Sequence, residues 1–130
     1  MGNFVKNKSQ GRFGEQLVYN YLQLAGLEPE FNIDKETRHL WDLQIKVGKK
    51  TARIEVKLDF LSNKTNNMAI EVLNPISGKL TGLNITKAEI WAVLIRDSDN
   101  WIVFLTKTSK LTMSFCKCIL THFVSSFIIN

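Results

Sequence analysis

The stretch "RIEVKLD", residues 53–59, alternates charge with apolarity without a break: Arg53, Glu55, Lys57 and Asp59 against Ile54, Val56 and Leu58. Such alternation is the mark of a β-strand with one face buried. An acid two residues from a lysine then shares a face with it, and the pair suits one kind of chemistry. Cleaving a phosphodiester requires charge to be neutralised on the phosphate and hydroxide to be made near neutral pH. A divalent metal does both, and Mg²⁺ prefers carboxylate oxygens, backbone carbonyls and water. A second acid lies in "WDLQIKV", residues 41–47, where Trp41, Leu43, Ile45 and Val47 alternate with Asp42, Gln44 and Lys46. Folded back through "GKK", these segments form a hairpin that puts Asp42 and Glu55 on one side. There they would share one metal, with the Val56 backbone carbonyl as a third ligand. Lys57 would orient the attacking water or stabilise the anionic transition state. Glu15, at the edge of an apolar helical stripe, would complete the acidic cluster. The competing reading is a solvated hairpin face with ordinary charge pairs, each worth ~0.2–1 kcal/mol. An acid-x-lysine triplet arises often enough by chance that alone it decides nothing.

Several elements must position these side chains. A helix is expected from Ser9 or Gly11 through about Ala25, ended by Gly26, with Leu17, Val18, Tyr21, Leu22 and Ala25 as its apolar stripe. A strand-like segment, Glu30 to Ile33, precedes the hairpin. "DFLSNKTNN" reads as a loop, and "MAIEVL", residues 68–73, as a third strand with Glu71 facing away from Met68, Ile70 and Val72. An irregular loop with Pro75, Gly78 and Gly82 follows, and Asn84 or Thr86 is placed to cap a helical turn over "KAE". "IWAVLI" and "WIVFL", joined by "RDSDN", form a more apolar and more central hairpin. Phe115, Cys116, Ile119, Leu120, Phe123, Val124, Phe127 and Ile128 recur at helical spacing, which predicts an amphipathic helix over about 111–129. Its Thr, Ser and aromatic content is weakly helix-forming, so docking on the sheet or a dimer contact must hold it. Lys117 and His122 interrupt it short of the ~20 apolar residues that a bilayer span needs.

At 130 residues the chain reads as one domain, with a core over about 11–105. Net charge is +5 and the sequence pI about 9.3, with Lys6, Lys8 and Arg12 ahead of the first acid and Lys46, Lys49, Lys50, Arg53 and Lys57 close together. This balance favours a polyanion, nucleic acid before membrane. The amino end lacks the apolar run of a secretory signal, which points to a reducing, intracellular location. Cys116 and Cys118 then read as free thiols. With two cysteines and two histidines in the chain, a zinc site using Cys116, Cys118 and His122 would need a distant fourth ligand.

The helix "GRFGEQLVYNYLQLAG", then "WD", then "IEVK" resembles the PD-(D/E)XK nuclease superfamily over roughly residues 11–95. The resemblance implies an α/β fold with a restriction-endonuclease-like core: a mixed central sheet flanked by helices in the order α-β-β-β-α-β, here with the carboxy-terminal helix added. It assigns Asp42 to the motif aspartate, Glu55 to the second acid, Lys57 to the lysine and Glu15 to the helical glutamate. Trp41 stands where the motif has proline. The implied cofactor is Mg²⁺, with Mn²⁺ able to substitute, and the implied partner is DNA, duplex or branched, cut by a homodimer. "NNMAIEVL" and "GLNITKAEIW" are similar to segments of small phage-type members, junction-resolving enzymes and homing endonucleases among them. That likeness puts Glu71, Ser77 and Lys87 near the phosphate path and suggests a phage-encoded protein acting in the host cytoplasm. The remaining expected DNA contacts are Lys6, Lys8 and Arg12 of the amino-terminal arm, Lys49 and Lys50 of the hairpin turn, and Lys64. Each has a bland reading as a solvated lysine or arginine. Two other functions stay open from the sequence: a DNA-binding module without turnover, and a phage-encoded interaction protein that uses the carboxy-terminal helix.

Overall fold

The computed structural model describes residues 2–60, 64, 76–109 and 125–129. One long helix, α1 (Gly2–Leu24), packs on one sheet of six strands: β1 (Pro29–Phe31), β2 (Leu43–Val47), β3 (Lys50–Asp59), β4 (Ile90–Asp97), β5 (Asn100–Lys107) and β6 (Ser125–Ile129). The strands lie side by side in chain order. Every neighbouring pair is antiparallel except β3 and β4, which run parallel from Ile54↔Ile90 to Asp59↔Ile95. A parallel pair needs a long crossover connection; residues 60–89 carry it, and their described part includes a 3₁₀ turn at Gly82–Asn84. The chain is therefore an α/β protein with a mixed sheet.

The helix stops where its hydrogen bonding demands. The Leu27 N–H donates to the Leu22 carbonyl and the Gly26 N–H to the Gln23 carbonyl, with Gly26 at φ 80°. This is the left-handed termination that glycine adopts without a Cβ clash. Gly14, Val18 and Leu22, four residues apart, form the buried line of α1. That line meets one face of the sheet, where Leu43, Ile45, Ile54, Val56, Ala92, Leu94, Trp101 and Val103 make the core. The approach is tight, because a Cβ at Gly14 would run into the Leu58 side chain. The opposite face is covered as well: Trp91 and Val93 of β4 and Thr106 of β5 are buried there. A strand buried on both faces carries an unbroken apolar run rather than an alternating one, as "IWAVLI" does.

Several expectations shift. The helix starts at Gly2 rather than at Ser9 or Gly11, the first strand ends at Phe31, and the hairpin begins at Leu43, which leaves Trp41 and Asp42 ahead of the ladder. The turn expected over "KAE" forms earlier, with Thr81 preceding it and Asn84 inside it. The polar groups of 86–88 bond across the fold instead: the Thr86 hydroxyl and the Lys87 N–H both donate to the Leu40 carbonyl, and the Ala88 N–H donates to Thr86 Oγ1. The helix expected over 111–129 is overturned at its end, where residues 125–129 pair with β5 from Leu105↔Ser125 to Trp101↔Ile129. Weak intrinsic helicity loses there to the open hydrogen-bonding edge of β5. The expected strand at 68–73 with Glu71, the helix segment 111–124, and Cys116, Cys118 and His122 lie outside the described residues. Any second helix of the expected order would fall within the crossover, most of which also lies outside them. Among the described residues, no helix is long and apolar enough to cross a membrane.

Candidate functional site

Asp42 sits one step outside the β2–β3 ladder, whose last pair is Leu43↔Ile54. It is nonetheless held on every side. Its N–H donates to the Ile54 carbonyl (2.9 Å) and its carbonyl accepts the Asn32 N–H (2.8 Å). Its carboxylate Oδ2 accepts the Val56 N–H at 2.7 Å, taking the place that a β2 backbone carbonyl would fill had the strand continued. The N–H and C=O of one strand residue point to the same side, so the Val56 carbonyl is directed to this same edge of β3.

Glu55 and Lys57 stand on the β3 face away from α1. Lys57 Nζ is 2.7 Å from Glu55 Oε1 and 5.8 Å from the centroid of the Trp91 ring. Trp91 is the direct neighbour of Glu55 on β4. Glu55 is not on a solvated face, as alternation suggests: it is only 8% exposed, and Ile54 and Val56 beside it are buried on the other side. Both faces of mid-β3 are covered.

The electrostatics follow from that burial. The Glu55 carboxyl is pushed up to about 7, first by burial and then by the charge of Asp42, against the pull of Lys57. Asp42 is also raised by burial, opposed by the Val56 N–H and the Lys57 charge. Glu15, carried to the same place by α1, is pushed up to about 7 by burial and by Asp42 and Glu55, with Arg12 and Lys57 opposing. Three acids from three segments thus lie in one place, and Glu15 and Glu55 resist ionising beside the charge of Asp42. A bound cation reverses that logic.

The expected site residues divide clearly. Asp42, Glu55, Lys57 and Glu15 come together, with Arg12 one turn before Glu15 and close enough for its charge to act there. Lys87 is exposed, and its backbone is tied to Leu40, two residues before Asp42. Lys49 and Lys50 are exposed at the hairpin turn, and Lys50 is five strand residues, about 16 Å, from Glu55; they do not join the site. Lys64 and Ser77 are exposed. Lys6 and Lys8 lie on the first turns of α1. Glu71 lies outside the described residues. Among the described residues, no three His, Cys, Asp or Glu side chains are arranged to hold a metal ion, so a cation here would rest on two carboxylates and a backbone oxygen. That donor set is all hard oxygen and suits Mg²⁺.

Sequence reasoning missed Arg53 and Glu89. The Arg53 guanidinium pairs with the Glu89 carboxylate through Nε and Nη2 and lies 5.2 Å from the centroid of the Trp41 ring. The only signal was Arg53 sharing the face of Glu55; nothing local tied it to a residue 36 positions away. Comparison of the chain with known protein families, with curated proteins and with solved structures gives no match to any of them.

Proposed function

We propose that this protein is a Mg²⁺-dependent endodeoxyribonuclease of the PD-(D/E)XK type, cutting DNA as a homodimer in the cytoplasm. The observation that carries the reading is the convergence of Asp42, Glu55 and Lys57, with Lys57 Nζ 2.7 Å from Glu55 and Asp42 fixed on the amide between them. The mixed α/β sheet, with a helix ahead of an antiparallel hairpin and a parallel strand after the crossover, is compatible with the order that the resemblance implies. Asp42, Glu55 and the Val56 carbonyl would hold the ion, whose contribution is to neutralise phosphate charge and acidify water. Lys57 orients the attacking water and faces the charge that builds on the phosphate. Glu15 adds to the negative field that draws a cation between the acids. Arg12 and Lys87, at the rim, meet the DNA backbone. One site per chain and two strands to cut favour a two-fold dimer, and the substrate is either a branched junction or a duplex site of recognised sequence.

The test is cleavage of supercoiled plasmid, linear duplex and a four-way junction by the wild type and by Glu55→Ala, in Mg²⁺ or EDTA. Salt is held constant because phosphate contacts make affinity steeply salt-dependent. Metal-dependent cutting that disappears in Glu55→Ala while DNA binding persists is the expected result. Tight binding without cutting in Mg²⁺ or Mn²⁺ would instead make the chain a binding module.

A further inference from the structure

Asp42 belongs to no regular element. It leaves an irregular turn at 34–41 and precedes the first ladder pair, so its direction must come from contacts with other segments. Besides its own bonds to Ile54 and Val56, three sets of contacts hold the segment 40–42 that carries it. Asn32 holds two successive carbonyls, its N–H donating to Asp42 O and its Nδ2 donating to Trp41 O at 3.1 Å. Thr86 and Lys87 take the Leu40 carbonyl. The third set is the one that spans both halves of the site. Glu89 accepts the Arg53 backbone N–H at 2.7 Å as well as its guanidinium, and the Glu89 N–H donates to the Arg53 carbonyl at 3.0 Å. The Arg53 side chain, so held, covers the Trp41 ring.

From this geometry we infer that Arg53, Glu89 and Trp41 form a clamp that sets the orientation of Asp42 relative to Glu55. Arg53 is two residues before Glu55 on the same strand face, and Trp41 is the neighbour of Asp42, so one guanidinium fixes the distance between the two acids. The planar fork is well shaped for such a clamp, since it grips a carboxylate in two places while its face rests on an indole. Glu89 in turn is anchored to the end of β5, its carbonyl accepting the Thr108 N–H at 3.0 Å. Arg53 and Glu89 are positioning residues, and neither supplies a ligand or touches the scissile bond. Outer contacts of this kind typically shift metal affinity or activity by about 10–100-fold when removed. This role in metal binding rests on the nuclease reading, whereas the orientation of Asp42 does not.

The Val56 amide, whose proton is held by Asp42 Oδ2, reports the orientation without any metal or DNA. Hydrogen exchange followed by NMR would be measured at Val56 in the wild type, Arg53→Met, Glu89→Gln and the double variant, with the Leu94 amide as reference for global opening. The clamp requires Val56 exchange to accelerate at least about tenfold relative to Leu94 in each single variant, and the double variant to be no worse than either. Mn²⁺ affinity, read by water-proton relaxation, should fall by about tenfold in the same variants. Unchanged Val56 exchange in both single variants overturns the proposal. So does a loss of DNA affinity in metal-free buffer without faster Val56 exchange, which would make Arg53 a phosphate contact. If Val56 loosens as expected while the wild type neither binds Mn²⁺ nor cuts DNA, the clamp stands and the nuclease reading fails.

Discussion

At the scale of single residues, the site is a contest among carboxylates over which is ionised. Glu55 is buried and Asp42 beside it is half-buried, and the charge of Asp42 pushes the Glu55 carboxyl up. Asp42→Asn removes the like charge while leaving an oxygen to accept the Val56 amide. The expected outcome is a Glu55 carboxyl that titrates below its wild-type value of about 7, read by ¹³C chemical shift against pH. The Lys57 pair works in the opposite direction, so Lys57→Met should raise the Glu55 value further. In the same nuclei, a Glu55 that does not respond to either change would mean that the two acids are not in contact. Glu89 behaves as the reverse case, with Arg53 holding its carboxyl below the usual range. Exposed ion pairs are worth little to global stability, which is why the value of the Arg53–Glu89 pair must be sought in local order and not in a melting temperature.

At the scale of elements, the decisive contact is between α1 and β3. The helix brings Glu15 and Arg12 to the site only because Gly14 lets its backbone settle against Leu58. Gly14→Ala would gain about 1 kcal/mol of helix propensity and lose about 1–3 kcal/mol to overpacking. The net expectation is a destabilised protein whose Glu15 is displaced, checked by urea unfolding and by the titration of Glu15 moving back toward 4.5. Local pattern carried the elements well where alternation or helical spacing was unopposed: the hairpin of β2 and β3, the hairpin of β4 and β5, and Val18 and Leu22 of the buried line of α1 were legible, while Gly14 was not foreseen and Ala25 lies exposed past the helix end. It failed where backbone polar groups found distant partners with better geometry. Thr86 and Lys87 bond to Leu40 instead of opening a turn over 87–89, and 125–129 complete the edge of β5 instead of a helix.

At the scale of the whole molecule, the buried acids make stability depend on pH in a direction opposite to that of an ordinary salt-bridged carboxylate. Glu15 and Glu55 keep their protons to about pH 7 when folded, against 4.5 for an unperturbed glutamate. Between those values the folded state binds more protons than the unfolded one, so stability falls as pH rises through the window and is lowest above it. In EDTA, the thermal midpoint should therefore drop from about pH 5 to about pH 8. Glu55→Gln, a stand-in for the protonated acid, should flatten that drop and melt higher than the wild type at the upper pH by several degrees, ~1–2 kcal/mol. Saturating Mg²⁺ at that pH should recover stability in the wild type by binding the folded state alone, and do little for Glu55→Gln. Differential scanning calorimetry at the two pH values, with and without metal, decides each point. A wild type that is more stable at the upper pH than at the lower in EDTA would mean that the acids are not buried together.

Residue order by itself determined the strand that carries Glu55 and Lys57, the strand that begins just after Asp42, and the helix that carries Glu15, because alternation and helical spacing are local properties of a chain. Tertiary structure alone decided that Glu55 is buried instead of solvated, since what covers the second face of β3 arrives from elsewhere in the sequence. It alone joined Arg53 to Glu89 across 36 residues and set Asp42 on the Val56 amide. Partners so distant meet only when the whole sheet assembles, and no local pattern records that meeting.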